Sequence, residues 1–499
     1  MSINIETFFL DPNAEGTLQS RIQQMVAQGI LEGRFRRGER LPSSRKMAVH
    51  LGVSRITVTL AYTELVADDY LVSRGRSGYF VSDNAPEPPA FPARRFGAGT
   101  VDWNRAIAQR HSPGLSLKKP SDWASYRYPF IYGQADKTLF DSANWRLCAL
   151  QALGMRDFAA MTSDLYDGDD PQLIEFIARQ TLPRRGILAN TDEILVTMGA
   201  QNALWLSAQV LLNSRRHAAI EDPCYPALRN ILTQSRCQLH NISVDSDGLP
   251  PDALPHETDV VFTTPSHQCP TTATMPLHRR RALLERADAD DFLIVEDDYE
   301  FEMSFLKSPS PSLKSLDQNG RVIYVGSFSK SLFPGLRLGY LVGPEPFIRE
   351  ARALRASVLR HPPGHIQRTV SYYLSLGHYD ALVRRMSKAY HERRKVMDAA
   401  LEKNQLTVAG EGAYGGSSVW LRAPDGIDAT QLAETLRADG VLIEAGAPFF
   451  ANPQGHSAYF RLAYSSISSG RIAEGVDLVA RAIRSYQKNG RPHIASASA

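Results

Sequence analysis

Apolar residues near the start of the chain recur at helical spacing. Over 17–33, Leu18, Ile22, Met25 and Val26 fall at i, i+4, i+7 and i+8, which predicts an amphipathic helix that Gly33 can close. In LPSSRKMAVHLGVSRITVTLAYTELVADDYL, Ser43 or Ser44 can cap a second helix and Ser54 a third, with Gly52 turning the chain between them. Val58, Ala61 and Leu65 make the inward face of the third helix, so Arg55, Thr57 and Thr59 point away from it. YLVSRGRSGYFVS then reads as two short strands joined by a basic turn at Arg74, Arg76 and Gly78.

The periodicity stops at residues 82–99, SDNAPEPPAFPARRFGAG, whose Pro, Ala and Gly content marks a linker, semi-extended where the prolines cluster. Beyond it helical and strand-like runs alternate. EILVTMG (193–199), DVVFTTP (259–265), FLIVEDD (292–298) and RVIYVGSFS (321–329) read as buried strands that end in polar or glycine-bearing positions. Such alternation predicts an α/β domain with a mainly parallel sheet, whose ligands bind beyond the carboxyl ends of the strands. From about residue 345 the pattern becomes helical, and SSVWLRA and AYFRLAYSS suit a small α+β subdomain at the end. The expected organisation is a small domain over 12–82, a linker over 83–120 and a large domain over 121–490.

Composition changes this picture little. Hydrophobic residues at 43% and charged residues at 22% are ordinary for a globular protein, and 499 residues exceed what one core serves. The net charge of +3 is small, but basic residues outnumber acidic ones within 17–81, which gives the small domain an electrostatic footprint for nucleic acid. Cys148, Cys224, Cys237 and Cys269 lack paired metal-ligand spacing, so no metal is expected and free thiols in a reducing cytosol are the simplest reading. With no secretory signal and no membrane-spanning run, the expectation is a cytoplasmic protein.

Residues 18–81, with LPSSR, LGVSRITV, a tyrosine-bearing third helix and SGYFV in order, resemble the winged helix-turn-helix domain of the GntR family. The resemblance implies binding to a double-stranded DNA operator. It places Arg45, Ser54, Arg55, Thr57 and Gly78 at contacting positions, with Thr59 and Arg76 beside them.

The strongest chemical signal is SFSKSLFPGLRLGY at 327–340. Lys330 follows a buried strand and precedes Arg337 by seven residues; there an amine whose pKa is lowered by burial can form a Schiff base with an aldehyde. A pyridine aldehyde that carries a phosphate needs further groups, and the strand ends offer them. TMGAQNAL puts Gly199, Ala200 and Gln201 at a helix N-terminus that can hold an anion, with Ser327 and Arg337 adding a hydroxyl and a guanidinium. Asp297 can keep the ring nitrogen protonated, Tyr299 can donate to the phenolic oxygen and Tyr225 can cover the ring face.

From about 125 to 485 the chain resembles fold-type I aminotransferases, and with its N-terminal domain it resembles the MocR/GabR-type subfamily of GntR regulators. That resemblance implies pyridoxal 5′-phosphate held on Lys330. It further implies that Tyr166 reaches the phosphate of a neighbouring subunit in a homodimer, and that Arg461 grips the carboxylate of an amino-acid or amine effector. TPSHQCPTTATM departs from the related pattern, with Cys269 and Thr272 where an aromatic residue and a glycine are usual; His267 and Gln268 lie in the same segment. Two functions follow: a transcription factor controlled by exchange of the effector amine at Lys330, or an aminotransferase carrying a DNA-binding appendage. The first is favoured because both motif sets occupy one chain.

Overall fold

The computed structural model describes residues 2–11, 15–86, 101–109, 111, 117, 119–164, 166, 168–410, 412 and 414–489. The linker stretch 87–100 and the side chain of Arg76 lie outside the described residues. The chain divides into two compact units, Met1–Arg110 and His111–Ala499, with the division inside the stretch 83–120.

In the first unit, helices α1 (Leu18–Leu31), α2 (Ser44–Leu51) and α3 (Arg55–Ala67) precede strands β1 (Leu71–Ser73) and β2 (Tyr79–Val81), which pair antiparallel with Val72 opposite Phe80. Side-chain caps set the helix starts: Ser43 accepts from the amide of Lys46, and Ser54 from that of Thr57. Ile22, Val26 and Ile30 of α1 pack with Met47 of α2 and with Val58, Ala61, Tyr62 and Leu65 of α3. Leu18, expected on the apolar stripe, is instead 45% exposed, since it opens the first turn of α1 and lies past the edge of this core. Tyr62 is buried, and its hydroxyl donates to the carbonyl of Pro42 at 3.1 Å.

In the second unit a seven-stranded sheet has the order β3 (Ile194–Thr197), β9 (Gly339–Val342), β8 (Val322–Ser327), β7 (Leu293–Asp297), β6 (Val260–Thr263), β4 (His217–Asp222) and β5 (Gln238–Ser243). Only β9 runs antiparallel to its neighbours. Alternation divides the strand residues between two faces: Phe262, Val295 and Ile323 join one apolar cluster, while Val261, Ile294 and Val322 join another. Strands β4, β5 and β9 were not foreseen. β4 has only a short apolar run before Glu221 and Asp222 close it, and β5 is a half-exposed edge of mainly polar residues. Helices α4 (Ala200–Leu211) and α5 (Pro226–Gln234) follow β3 and β4.

A small antiparallel sheet near the chain end has the order β10 (Thr407–Val408), β11 (Ser418–Arg422), β13 (Tyr459–Ala463) and β12 (Glu444–Ala445). In its register Arg461 lies opposite Trp420 on one side and Glu444 on the other. Among the described residues no helix is long and apolar enough to cross a membrane.

Candidate functional site

The carboxyl ends of β3, β7 and β8, with β13 of the small sheet, surround a cavity of about 470 Å³. Ala200, Gln201, Tyr225, Asp297, Tyr299, Ser327, Lys330, Arg337 and Arg461 all line it, although they are spread over 262 positions from Ala200 to Arg461. The sheet order explains part of this convergence. Because β9 lies between β3 and β8, Gly339 is opposite both Thr197 and Ser327, which brings the turn at Gly199, the end of β8 and the loop of Arg337 side by side.

Gly199 caps α4 behind the cavity wall, at φ +80°. A side chain there would be strained and would sit 3.6 Å from the Ser329 hydroxyl. The first-turn amides of α4 have no intrahelical acceptors, so Ala200 and Gln201 open a donor set next to Ser327 and the exposed Arg337.

Three consecutive acids stand at the end of β7, Asp298 just beyond it, and their surroundings differ. Glu296 accepts from the amides of Leu313 and Lys314 and lies 3.7 Å from buried Arg280. Asp298 pairs with buried Arg185 at 2.7 Å and accepts from the Tyr324 hydroxyl at 2.9 Å. Alternation turns Asp297 the other way, into the cavity, where its buried Oδ1 lacks any hydrogen-bond partner among the described residues. Burial, reinforced by the charge of Asp298 and opposed by Lys330, pushes its carboxyl up to about 7.

Lys330 is half-buried, with Nζ 4.2 Å from the centre of the Tyr132 ring. Burial first, then the nearby charge of Lys119, lowers its amine to about 8. At pH 7 roughly a tenth of that amine is neutral, against well under a thousandth for an ordinary lysine. Gly133, at φ +72°, makes room: a Cβ there would stand 2.5 Å from Nζ.

Arg461 faces the same ring from 4.2 Å and lies 4.8 Å from that of Phe449. Its Nε donates to Glu444 Oε2 at 2.9 Å, and both side chains are buried. Tyr225 approaches Gln201 at 3.5 Å and packs with Cys269 and Trp420. Tyr299 borders the cavity, but its hydroxyl donates to the carbonyl of His267 at 2.8 Å.

The loop with unusual residues is closed by Gln268. Its amide donates to the carbonyls of Pro223 and Cys269, and its Oε1 accepts from the amide and hydroxyl of Thr271. Cys269 lines the cavity, Thr272 takes φ +63°, and the imidazole of His267 is buried outside the lining.

Tyr166 is elsewhere, 53% exposed, beneath the guanidinium of Arg360 at 5.2 Å. Sequence reasoning missed Lys119, Tyr132, Gly133 and Glu444. They come from segments without the strand-then-turn signature, and no local pattern marks them.

In the first unit Arg45 and Arg55 are exposed, and Arg55 reaches the Ser44 hydroxyl at 3.5 Å. Thr57 shares a 2.7 Å hydrogen bond with the capping hydroxyl of Ser54, and Thr59 donates back to the carbonyl of Arg55. Gly78 ends the turn between β1 and β2 at φ +97°. Ile56, at the start of α3, is 72% exposed and was not anticipated.

Residues 165–479 match the family of aminotransferases of class I and II, and residues 18–81 match the gntR family of bacterial regulatory proteins. The chain is 58% identical to the HTH-type transcriptional regulator TauR of Rhodobacter capsulatus over 97% of its own length and 100% of that protein's. It is 29% identical to the probable rhizopine catabolism regulatory protein MocR of Rhizobium meliloti, over 96% and 97% of the two chains. Among solved structures it is similar to LysN of Thermus thermophilus, an α-aminoadipate aminotransferase complexed with N-(5′-phosphopyridoxyl)-L-leucine, with a TM-score of 0.70, 25% identity, and coverage of 78% of this chain and 100% of that one.

Proposed function

Since the chain belongs to the MocR/GabR-type subfamily of GntR transcriptional regulators, we propose that its large domain holds pyridoxal 5′-phosphate at Lys330 and senses an anionic amine, by exchange at that position, to control the binding of its N-terminal domain to an operator. The observation that carries this reading is the unpartnered Asp297 oxygen in a cavity that Lys330 also lines. A buried carboxylate without a partner is costly unless a ligand supplies one, and a protonated pyridine does.

In this arrangement Asp297 would take the ring nitrogen. Ser327, Arg337 and the amides at Gly199, Ala200 and Gln201 would take the phosphate, Tyr225 would cover the ring, and Tyr299 would stand at the phenolic oxygen. When bound, the group supplies an aldehyde that condenses reversibly with primary amines. The chain's own residues do the rest. Lys330 offers a neutral amine at physiological pH because burial and Lys119 disfavour its charge. Arg461 is anchored through Nε on Glu444, so its remaining nitrogens serve an anionic group of the effector, a carboxylate or sulfonate. Tyr166, exposed on this chain, would complete the site of a second copy in a homodimer.

On the DNA side, Arg45, Arg55, Thr57 and Thr59 would approach the major groove with Ser54 at the start of α3, and Arg76 and Gly78 would bring the turn between β1 and β2 to the backbone or minor groove. Likeness to regulators across both domains favours this reading over an aminotransferase with an appendage. The test is addition of the cofactor to purified protein, followed by borohydride reduction and peptide mass analysis. Visible absorbance and a mass increment at Lys330 are expected. A colourless protein with Lys330 unmodified would overturn the reading.

A further inference from the structure

The cavity has a cation that the family comparison does not account for. Lys119 stands at the end of the segment that joins the two units, only eight residues after His111, and its Nζ lies 3.4 Å from Glu444 Oε1. It also donates to the backbone carbonyl of Tyr132. Leu117, from the same segment, lines the cavity and packs with the cluster of Cys269, Trp420, Phe449 and Phe450. One end of the connecting chain therefore supplies both an apolar contact and a charge to the wall.

Two cations here share one carboxylate, and they share it unequally. Arg461 and Glu444 are direct neighbours across β12 and β13, so the sheet ladder holds that 2.9 Å contact in place. Glu444 Oε2 also accepts from the amide of Tyr132. Lys119 has the longer contact, on the other oxygen, and itself lies in no helix or strand. Of the two cations, Lys119 has the looser hold on Glu444, so its ammonium is the one placed to turn toward an incoming anion. An anionic group that reaches Arg461 would meet a second cation beside it, and Lys119 would add a further donor to the arginine fork.

We propose that Lys119 is the residue that makes the cavity selective for amines bearing an anionic group, and that its capture by that group carries occupancy of the cavity directly into the segment connecting the two units. The proposal rests on the reading of the cavity as a cofactor and effector site. It is also supported by electrostatics: Lys119 is the largest charge acting to lower the basicity of Lys330, so an anion that compensates Lys119 acts on the reactive amine as well.

The test uses the full chain loaded with cofactor, as wild type, Lys119→Met, Lys119→Gln and Lys119→Arg. The probes are β-alanine, 2-aminoethanesulfonate and, as the two-carbon amine without an anion, ethylamine. The half-saturating concentration is read from the change in visible absorbance, and hydrogen–deuterium exchange is followed in peptides spanning 101–125. For wild type, at least one anionic probe is expected to act at a concentration at least tenfold below that of ethylamine, and to alter exchange in those peptides while ethylamine does not. Lys119→Met and Lys119→Gln should weaken the anionic probe about tenfold to a hundredfold relative to ethylamine, whose own response reads any change at Lys330, and abolish the exchange response; Lys119→Arg should restore selectivity. If either neutral variant keeps wild-type absorbance and responds to the anionic probe within twofold of wild type, the proposal is overturned while the cofactor reading stands. If wild type takes up no cofactor, or no probe changes its spectrum, the cavity reading falls and this one falls with it.

Discussion

Replacing Asp297 by asparagine should change the stability of the protein in opposite directions with and without added pyridoxal 5′-phosphate. In the cofactor-free protein the carboxyl is buried, has an oxygen without a partner and sits beside the charge of Asp298, which together raise it from 3.8 to about 7. A group whose folded value is raised holds its proton more tightly in the folded state, so stability declines as pH rises from 3.8 toward 7 and then levels off. The interval corresponds to about 4 kcal/mol, the ceiling on what neutralising the side chain can return above pH 7. Asparagine keeps the shape without the charge. Cofactor-free Asp297→Asn should therefore be more stable than wild type at pH 8, with the gap closing toward pH 4. With cofactor present the order should reverse, because the variant cannot hold a proton on the ring nitrogen, and weakened cofactor binding withdraws the stabilisation that binding supplies. Urea unfolding of both proteins from pH 5 to 8, with and without pyridoxal 5′-phosphate, measures this. A cofactor-free variant that is less stable than wild type at pH 8, or a gap independent of pH, would refute the argument that Asp297 is an uncompensated charge awaiting a partner.

Gly133→Ala should reduce cofactor attachment, seen as weaker visible absorbance, because its Cβ would stand 2.5 Å from Nζ of Lys330 and push that side chain aside, and the left-handed backbone adds about 1–2 kcal/mol of strain. Ser54→Ala should cost about 1 kcal/mol in the thermal unfolding of the N-terminal unit, since it removes the cap on the Thr57 amide. Arg55→Ala should weaken binding to an operator fragment while leaving cofactor absorbance unchanged; if Arg55 meets a phosphate, the slope of log affinity against log salt should fall by about 1 in fluorescence anisotropy titrations.

The legible parts of this protein are those where local chemistry and periodicity coincide. The buried strands ending near Gly199, Asp297 and Ser327 could be read because an apolar run stops abruptly at a polar or glycine residue, and that transition is where a parallel sheet opens to ligands. The short, edge and acid-interrupted strands were not legible, because their identity as strands depends on neighbours that the linear pattern does not name. The same holds within the site. FLIVEDDY offers two adjacent aspartates, and although strand alternation makes one face opposite to the other, which of them meets Arg185 and which lines the cavity is visible only in the folded chain. For Tyr299, residue type and position were legible, while the engagement of its hydroxyl by the His267 carbonyl was not.

By itself the chain determined that a basic winged helix precedes an α/β domain with a lysine just beyond a strand end, since those features are written in spacings of a few residues and in side-chain chemistry that needs no partner to be recognised. Only the tertiary structure decided which charges meet. Lys119, Tyr132, Glu444 and Arg461 lie in separate stretches of sequence and become neighbours because a short segment, the large sheet and the small sheet converge on one cavity. Electrostatic interaction depends on distance and burial rather than on order along the chain, so the charge balance of the cavity exists only once the chain has folded.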